Sequence, residues 1–346
     1  MAGLSCRLVS SAYQPPLNVG HRNNAADAGA QARLRGNRLA ASLSEKSSET
    51  SMHTPAFDRF VAPASRYPAI WRIFMGLITA TIVFIALSFA IFFIGGLALG
   101  LESPQQALLI LTDPTTPAAM AILLLSFLAM AMGAGAAALW HWRSPLTLFG
   151  PLPLVRRDWL KMAALAAVVL FCSGLITSFF IPSTVTRNLG VPAWAGILIW
   201  AIPLLFIQTT AEEMVFRGYL QQQLAARFRH PFIWMGIPSV LFGLAHLNPG
   251  LEPITAFLIV LATGTFGLVA ADITRLTGSL GAAMGFHFAN NFLAILVVSV
   301  QGELSALALF HTDFTMSDSD IIQPLLVVDI LTVILVWVVA RRMLRR

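Results

Sequence analysis

The sequence predicts an all-α, polytopic transmembrane helical bundle, and two observations carry that prediction. Of the 346 residues, 57% are apolar and only 11% are charged, against about 45–50% and about 25% for soluble domains. The apolar residues also gather in blocks of about 18 or more, each long enough to cross about 30 Å of hydrocarbon as a helix. A soluble globular enzyme is excluded. Cys6 and Cys172 lie far apart, so neither a disulfide framework nor a thiolate metal site is available.

Residues 1–66 are rich in Ser, Asn, Ala, Gly and Arg with little periodicity, and are expected to form a disordered polar leader. They contain no apolar core of a secretory signal, while the Arg-rich, acid-poor composition fits an organelle transit peptide. An over-extended start is the blander reading, because Met52 opens a compact lead-in to the first span. Residues 67–346 form the helical membrane domain.

Eight spans are expected: Ile73 to Leu99, Pro117 to Trp140, Met162 to Ile181, Trp194 to Leu220, Pro231 to Leu247, Ile254 to Ala271, Leu280 to Val300, and Ile322 to Ala340. Short loops with Gly and Pro separate them, as in Leu247-Asn-Pro-Gly-Leu-Glu-Pro253. Basic residues alternate with the spans. Arg143, Arg156, Arg157 and Lys161 follow span two, Arg227 and Arg229 span four, Arg275 span six, and Arg341, Arg342, Arg345 and Arg346 span eight. The other loops hold Glu102, Asp113, Glu252, Glu303, Asp313, Asp318 and Asp320, with Arg187 as their one basic residue. The positive-inside rule then puts both termini in the cytoplasm. The net charge of +6 needs no nucleic acid, since anionic lipid headgroups suffice as partners. The expected location is a bacterial plasma membrane, or an organelle membrane if the leader is a transit peptide.

A charge at the centre of a bilayer costs at least about 2.5–3.5 kcal/mol, so intramembrane polar groups need a reason. In Ala211-Glu-Glu-Met-Val-Phe-Arg-Gly218, Glu213 and Arg217 are spaced i,i+4 with acid before base, the favourable order for a helical pair. Glu212 points about 100° away and lacks that partner, which leaves it able to face a cavity as a general base. Phe242 and His246 share a face of span five. His287 and Asn291 share one of span seven, whereas Asn290 points elsewhere. Asp329 in span eight has no cationic neighbour in its helix and is read as a cavity-lining or packing residue. Gly281 and Gly285 form a small-residue face for close helix packing.

A carboxylate, two histidines and an asparagine in three spans point to acyl-bond hydrolysis with water as nucleophile. Glu and His form a base pair around water, while a second His with Asn supplies oxyanion donors. No Ser or Cys sits in a nucleophile context. Glu212, His246 and His287 are equally a zinc set with one open position, although the spacing is not His-Glu-x-x-His.

At these residues the sequence resembles the CPBP family of intramembrane proteases, which includes the type II CAAX prenyl endopeptidases (the Rce1-like or Abi group). The family's Glu-Glu-x-x-x-Arg, Phe-x-x-x-His and His-x-x-x-Asn motifs occur in order as Glu212-Glu213 with Arg217, Phe242 with His246, and His287 with Asn291, within roughly residues 190–300. The resemblance implies that Glu212 and His246 activate water, that His287 and Asn291 form the oxyanion site, and that Glu213 and Arg217 support them. It leaves a metalloprotease mechanism with Zn2+ and a metal-free glutamate mechanism both open. The implied substrate is a peptide or protein near the membrane surface, in some relatives lipidated. Two other classes fit the same residues: a non-catalytic scaffold, immunity factor or regulator, and a transporter using Glu212 and Asp329 as proton carriers.

Helix rise constrains where these groups meet. If span four ends at Leu220, Glu212 lies about 12 Å from the near surface while His246 lies about 22 Å deep; if it continues to Arg227, both lie about 22 Å deep. The expectation is therefore a long fourth helix, kinked near Pro203, with Glu212 and His246 close enough to share one water. The cavity is expected to open to the cytoplasm and keep Gln221, Gln222 and Gln223 wet.

Overall fold

A computed structural model describes residues 53–101, 103, 105, 114–180, 184–302 and 304–344. The expected leader up to residue 52, the alternative start at Met52, and Glu102, Asp113, Glu303, Arg345 and Arg346 lie outside the described residues. Residues 53–346 form one unit.

Among the described residues six helices are long and apolar enough to cross a membrane: α2 (Ile70–Ala98), α3 (Pro117–Leu139), α4 (Leu152–Thr177), α5 (Val191–Arg227), α7 (Pro253–Thr277) and α9 (Ser319–Leu344). Two shorter apolar helices, α6 (Phe232–Leu244) and α8 (Gly281–Val297), occupy the fifth and seventh expected spans. At 1.5 Å per residue these reach only about 20 and 25 Å, less than the bilayer core, so they are not full spans.

The long fourth helix is present, with Pro203 inside it. It passes through a π-helical stretch, Met214–Gln221, immediately after Glu213. Two more such stretches, Phe232–Gly236 and Phe292–Val297, begin α6 and end α8. Wide π turns rotate the side chains that follow them and recur beside functional sites.

Two features depart from the sequence reading. Residues 53–66 are not a disordered leader: Thr54 caps a helix, α1 (Pro55–Val61), and its hydroxyl donates to the Arg275 carbonyl at 2.8 Å. Phe57 and Phe60 are buried, with the Phe57 ring 5.0 Å from that of Trp234. Two phenylalanines at i,i+3 bury enough apolar area to fix a short helix once a partner surface exists. The second feature is a three-stranded sheet in an otherwise helical protein. β1 (Val185–Arg187) pairs antiparallel with β3 (Phe310–Thr315), which pairs parallel with β2 (Val298–Gln301), in the order β1-β3-β2. β2 takes residues expected in span seven.

The opposite end of the bundle is sealed. Gln221, Gln222 and Gln223 are fully buried rather than wet. Gln221 donates to the Ala271 carbonyl at 2.9 Å, and Gln222 donates to the Thr147 carbonyl while accepting from the Arg143 guanidinium. Burial holds Arg143 below the usual guanidinium range, at about 10. Gly278 takes the left-handed conformation (φ 69°) that ends α7, and a Cβ there would lie 2.4 Å from the Ala56 carbonyl oxygen. Arg341 reaches Asp272 at 3.5 Å at this same end, so both termini of the described unit meet there.

Gly281 and Gly285 do form a packing face. A Cβ on either would lie 2.2 Å from the Val155 carbonyl oxygen or 2.4 Å from that of Trp159. This close approach of α8 to α4 places His287 at its depth.

Candidate functional site

Glu212 and Glu213 end the regular part of α5, and both are buried. Glu213 Oε1 accepts from Arg217 Nη1 at 2.9 Å, the pair expected from the i,i+4 spacing. The same oxygen faces His287 Nδ1 at 2.8 Å. Arg217 also donates to the Gly267 carbonyl at 3.2 Å and lies 4.7 Å from the Phe242 ring centroid. The guanidinium is therefore held by a carboxylate, a carbonyl and an aromatic face, as a buried cation requires.

Glu212 is reached from two sides. Gln208 Nε2 donates to its Oε1 at 2.7 Å, and its Oε2 lies 3.5 Å from His287 Nε2 without a hydrogen-bond partner among the described residues. Gln208 Oε1 accepts in turn from Asn291 Nδ2 at 2.9 Å, and Asn291 Oδ1 accepts from Asn290 Nδ2 at 3.2 Å. One polar network therefore joins Asn290, Asn291, Gln208, Glu212, His287, Glu213 and Arg217.

His246 stands apart from Glu212. It is exposed, just past the end of α6, with Nδ1 2.8 Å from the Phe242 carbonyl oxygen. A ring nitrogen at that distance from a carbonyl must carry the proton, so neutral His246 keeps its lone pair on Nε2. The Phe242 ring touches both histidines, with centroids 4.8 Å from His246 and 5.9 Å from His287. A cavity of about 90 Å3 is lined by His246, His287, Asn290, Asn291 and Asp329, together with Phe242 and Phe266. Glu212 does not line it and approaches it behind His287.

Of the expected site residues, the structure gathers Glu212, Glu213, Arg217, His287 and Asn291 in one network, and His246 and Phe242 beside it. The two donors assigned to an oxyanion are already engaged, His287 Nδ1 with Glu213 and one Asn291 amide hydrogen with Gln208. Asn290 lines the cavity instead of pointing elsewhere. Two neighbouring cavities, of about 310 and 440 Å3, are lined by β-strand residues at the sheet end. Gln208 was missed, although its i−4 spacing from Glu212 was a usable signal.

The donor chemistry does not fit the zinc set. Among the described residues no three His, Cys, Asp or Glu side chains converge as a metal-holding group. One His287 nitrogen is committed to Glu213.

Residues 192–293 match the family model described as Type II CAAX prenyl endopeptidase Rce1-like. A stretch of 122 residues is 36% identical to a Bacillus subtilis (strain 168) protein described as "Uncharacterized protein YyaK", covering 33% of this chain and 40% of that relative. The chain thus spans well under half the length of the curated relative it matches. No solved structure matches. The matched segment runs from the start of α5 into α8 and contains every residue of the Glu–His network, so residues 192–293 of this multi-pass membrane protein are similar to the Rce1-like type II CAAX prenyl endopeptidases.

Proposed function

We propose that the protein is an intramembrane endopeptidase that hydrolyses a peptide bond of a membrane-associated peptide or protein with water as nucleophile. The observation that carries this reading is Glu212 Oε2, a buried carboxylate oxygen without a protein donor, 3.5 Å from Nε2 of His287, whose side chain lines the polar cavity. Buried carboxylate oxygens are ordinarily hydrogen-bonded, and a water donating to this one would stand between a base and the cavity.

In this mechanism Glu212 accepts a proton as water oxygen attacks the substrate carbonyl, and the same proton passes to the leaving amine as the C–N bond breaks. His246 Nε2, a free acceptor, orients the water. The second amide hydrogen of Asn291 donates to the oxygen that becomes negative, while His287, held through Nδ1 by Glu213, keeps Nε2 turned to Glu212. Glu213 and Arg217 fix the His287 ring, and Gln208 fixes both Glu212 and Asn291. These are positioning roles. No step is routed through a metal.

The test is comparative analysis of protein termini in membrane fractions from cells carrying the parent or Glu212→Gln. The reading expects termini present only with the parent. Identical termini in both would support a scaffold or regulator built on the same fold.

A further inference from the structure

We propose that Asp329 is a specificity-determining residue that receives a cationic side chain of the substrate, lysine or arginine, close to the scissile bond. This deepens the hydrolytic reading above and rests on it.

Asp329 lies on α9 about 15 Å from the helix start at Ser319, and it is placed where two cavities meet. It lines the polar cavity with His246, His287, Asn290 and Asn291, and also the 310 Å3 cavity on the far side. Among the described residues no hydrogen bond or ion pair reaches its carboxylate, whereas Glu213, Asp158 and Asp272 are all paired with arginines. A carboxylate in a membrane helix ordinarily faces a cavity and marks what passes through it.

The chemistry of the second cavity suits a long basic side chain. Leu170, Leu325 and Val328 supply apolar walls for the methylene stem, and Ser173, Ser299 and Thr312 supply hydroxyl oxygens for the charged head. Lys and Arg are the side chains with that division into apolar stem and cationic tip. Asp329 at the neck then forms a charge-assisted hydrogen bond with the head as it enters, in surroundings that strengthen it. No Lys or Arg lines any of the three cavities among the described residues. A substrate's terminal carboxylate would therefore meet Asp329 with no counter-cation, so the site favours a cut beside an internal basic residue over recognition of a free C-terminus.

The experiment compares protein termini in membrane fractions from cells carrying the full chain as parent, Glu212→Gln, Asp329→Asn or Asp329→Glu. The proposal expects Glu212-dependent termini enriched several-fold in Lys or Arg within two residues of the cut. That enrichment should be lost in Asp329→Asn, while cuts lacking a basic residue persist, and be kept in Asp329→Glu. Parent-specific termini without basic enrichment would overturn the proposal and leave the protease reading standing. So would enrichment unchanged in Asp329→Asn, or a uniform loss of all cuts in that variant with restored cutting but no basic preference in Asp329→Glu. Termini identical in parent and Glu212→Gln would overturn the protease reading, and this proposal with it.

Discussion

His287 Nδ1 lies 2.8 Å from Glu213 Oε1, and this contact decides how the ring meets everything else in the site. With that nitrogen held by a carboxylate already paired to Arg217, Nε2 can only face Glu212, 3.5 Å away. Adjacent acids therefore divide the work. Glu213 anchors an imidazole and a guanidinium through Oε1, while Glu212, held by Gln208 through Oε1, turns its unpartnered Oε2 to His287 Nε2.

The anchor is also a stability element. Removing one partner of a fully buried ion pair leaves an uncompensated charge, at a cost of about 3–5 kcal/mol. Arg217→Ala is expected to lower the unfolding free energy by about that amount, seen as a large drop in the detergent-solubilised melting temperature. A variant melting within about 2 °C of the parent would show the pair to be energetically idle.

Gln208 holds Glu212 and Asn291 at once, at 2.7 and 2.9 Å. Gln208→Leu keeps the volume but loses both hydrogen bonds. We expect kcat for a substrate identified from the terminus comparison to fall about 10- to 100-fold, the scale of a misplacement near 1 Å, with KM nearly unchanged. A changed KM at constant kcat would make Gln208 a binding residue instead.

The approach of α8 to α4 leaves no room at Gly285, where a Cβ would meet the Trp159 backbone oxygen at 2.4 Å. Backbone cannot yield as a flexible side chain can, so Gly285→Ala is expected to cost about 1–3 kcal/mol and to shift His287. Thermal unfolding measures the first effect and cleavage rate the second. An unaltered melting temperature would show that the helices separate freely.

Stability should also depend on pH through His141, which lies outside the spans. Burial lowers its pKa below the ordinary value, opposed by its hydrogen bond to the Tyr67 carbonyl. With Nδ1 donating to that carbonyl, neutral Nε2 accepts from the Tyr219 hydroxyl at 3.0 Å. Below the ordinary histidine value of about 6.5 the unfolded chain binds a proton that the folded one resists, so stability falls as pH drops through that range. Melting temperatures at pH 7.5 and 5.5 are expected to differ more in the parent than in His141→Gln. An equal difference would remove His141 from the pH response.

Much of this was readable from the chain, and the reasons differ by feature. The eight apolar segments followed from hydropathy alone, and the Glu213–Arg217 pair and the Gly281/Gly285 face from helical spacing. The length of α5 followed from asking at what depth Glu212 and His246 could meet. Tertiary packing hid the rest. Three consecutive glutamines look solvent-exposed until packing buries them all and Ala271, Thr147 and Arg143 supply partners for Gln221 and Gln222. Phe57 and Phe60 look like part of a polar leader until Trp234 covers them. Asn290 lines the cavity from the regular part of α8, a placement set by which neighbours surround the helix and not by its own spacing. The sheet joins β1 to strands more than 100 residues further along the chain, and its segments are three to six residues long, too short to register as strands by pattern.

The most direct test of the account is hydrolysis by the purified full chain reconstituted in liposomes with one substrate taken from the terminus comparison. Parent and Glu212→Gln protein would be matched for folding by melting temperature. If Glu212 is the base that activates water, its amide variant should cleave at least about 100-fold more slowly, the lower range for a positioned general base. Cleavage by Glu212→Gln within about threefold of the parent rate would contradict it.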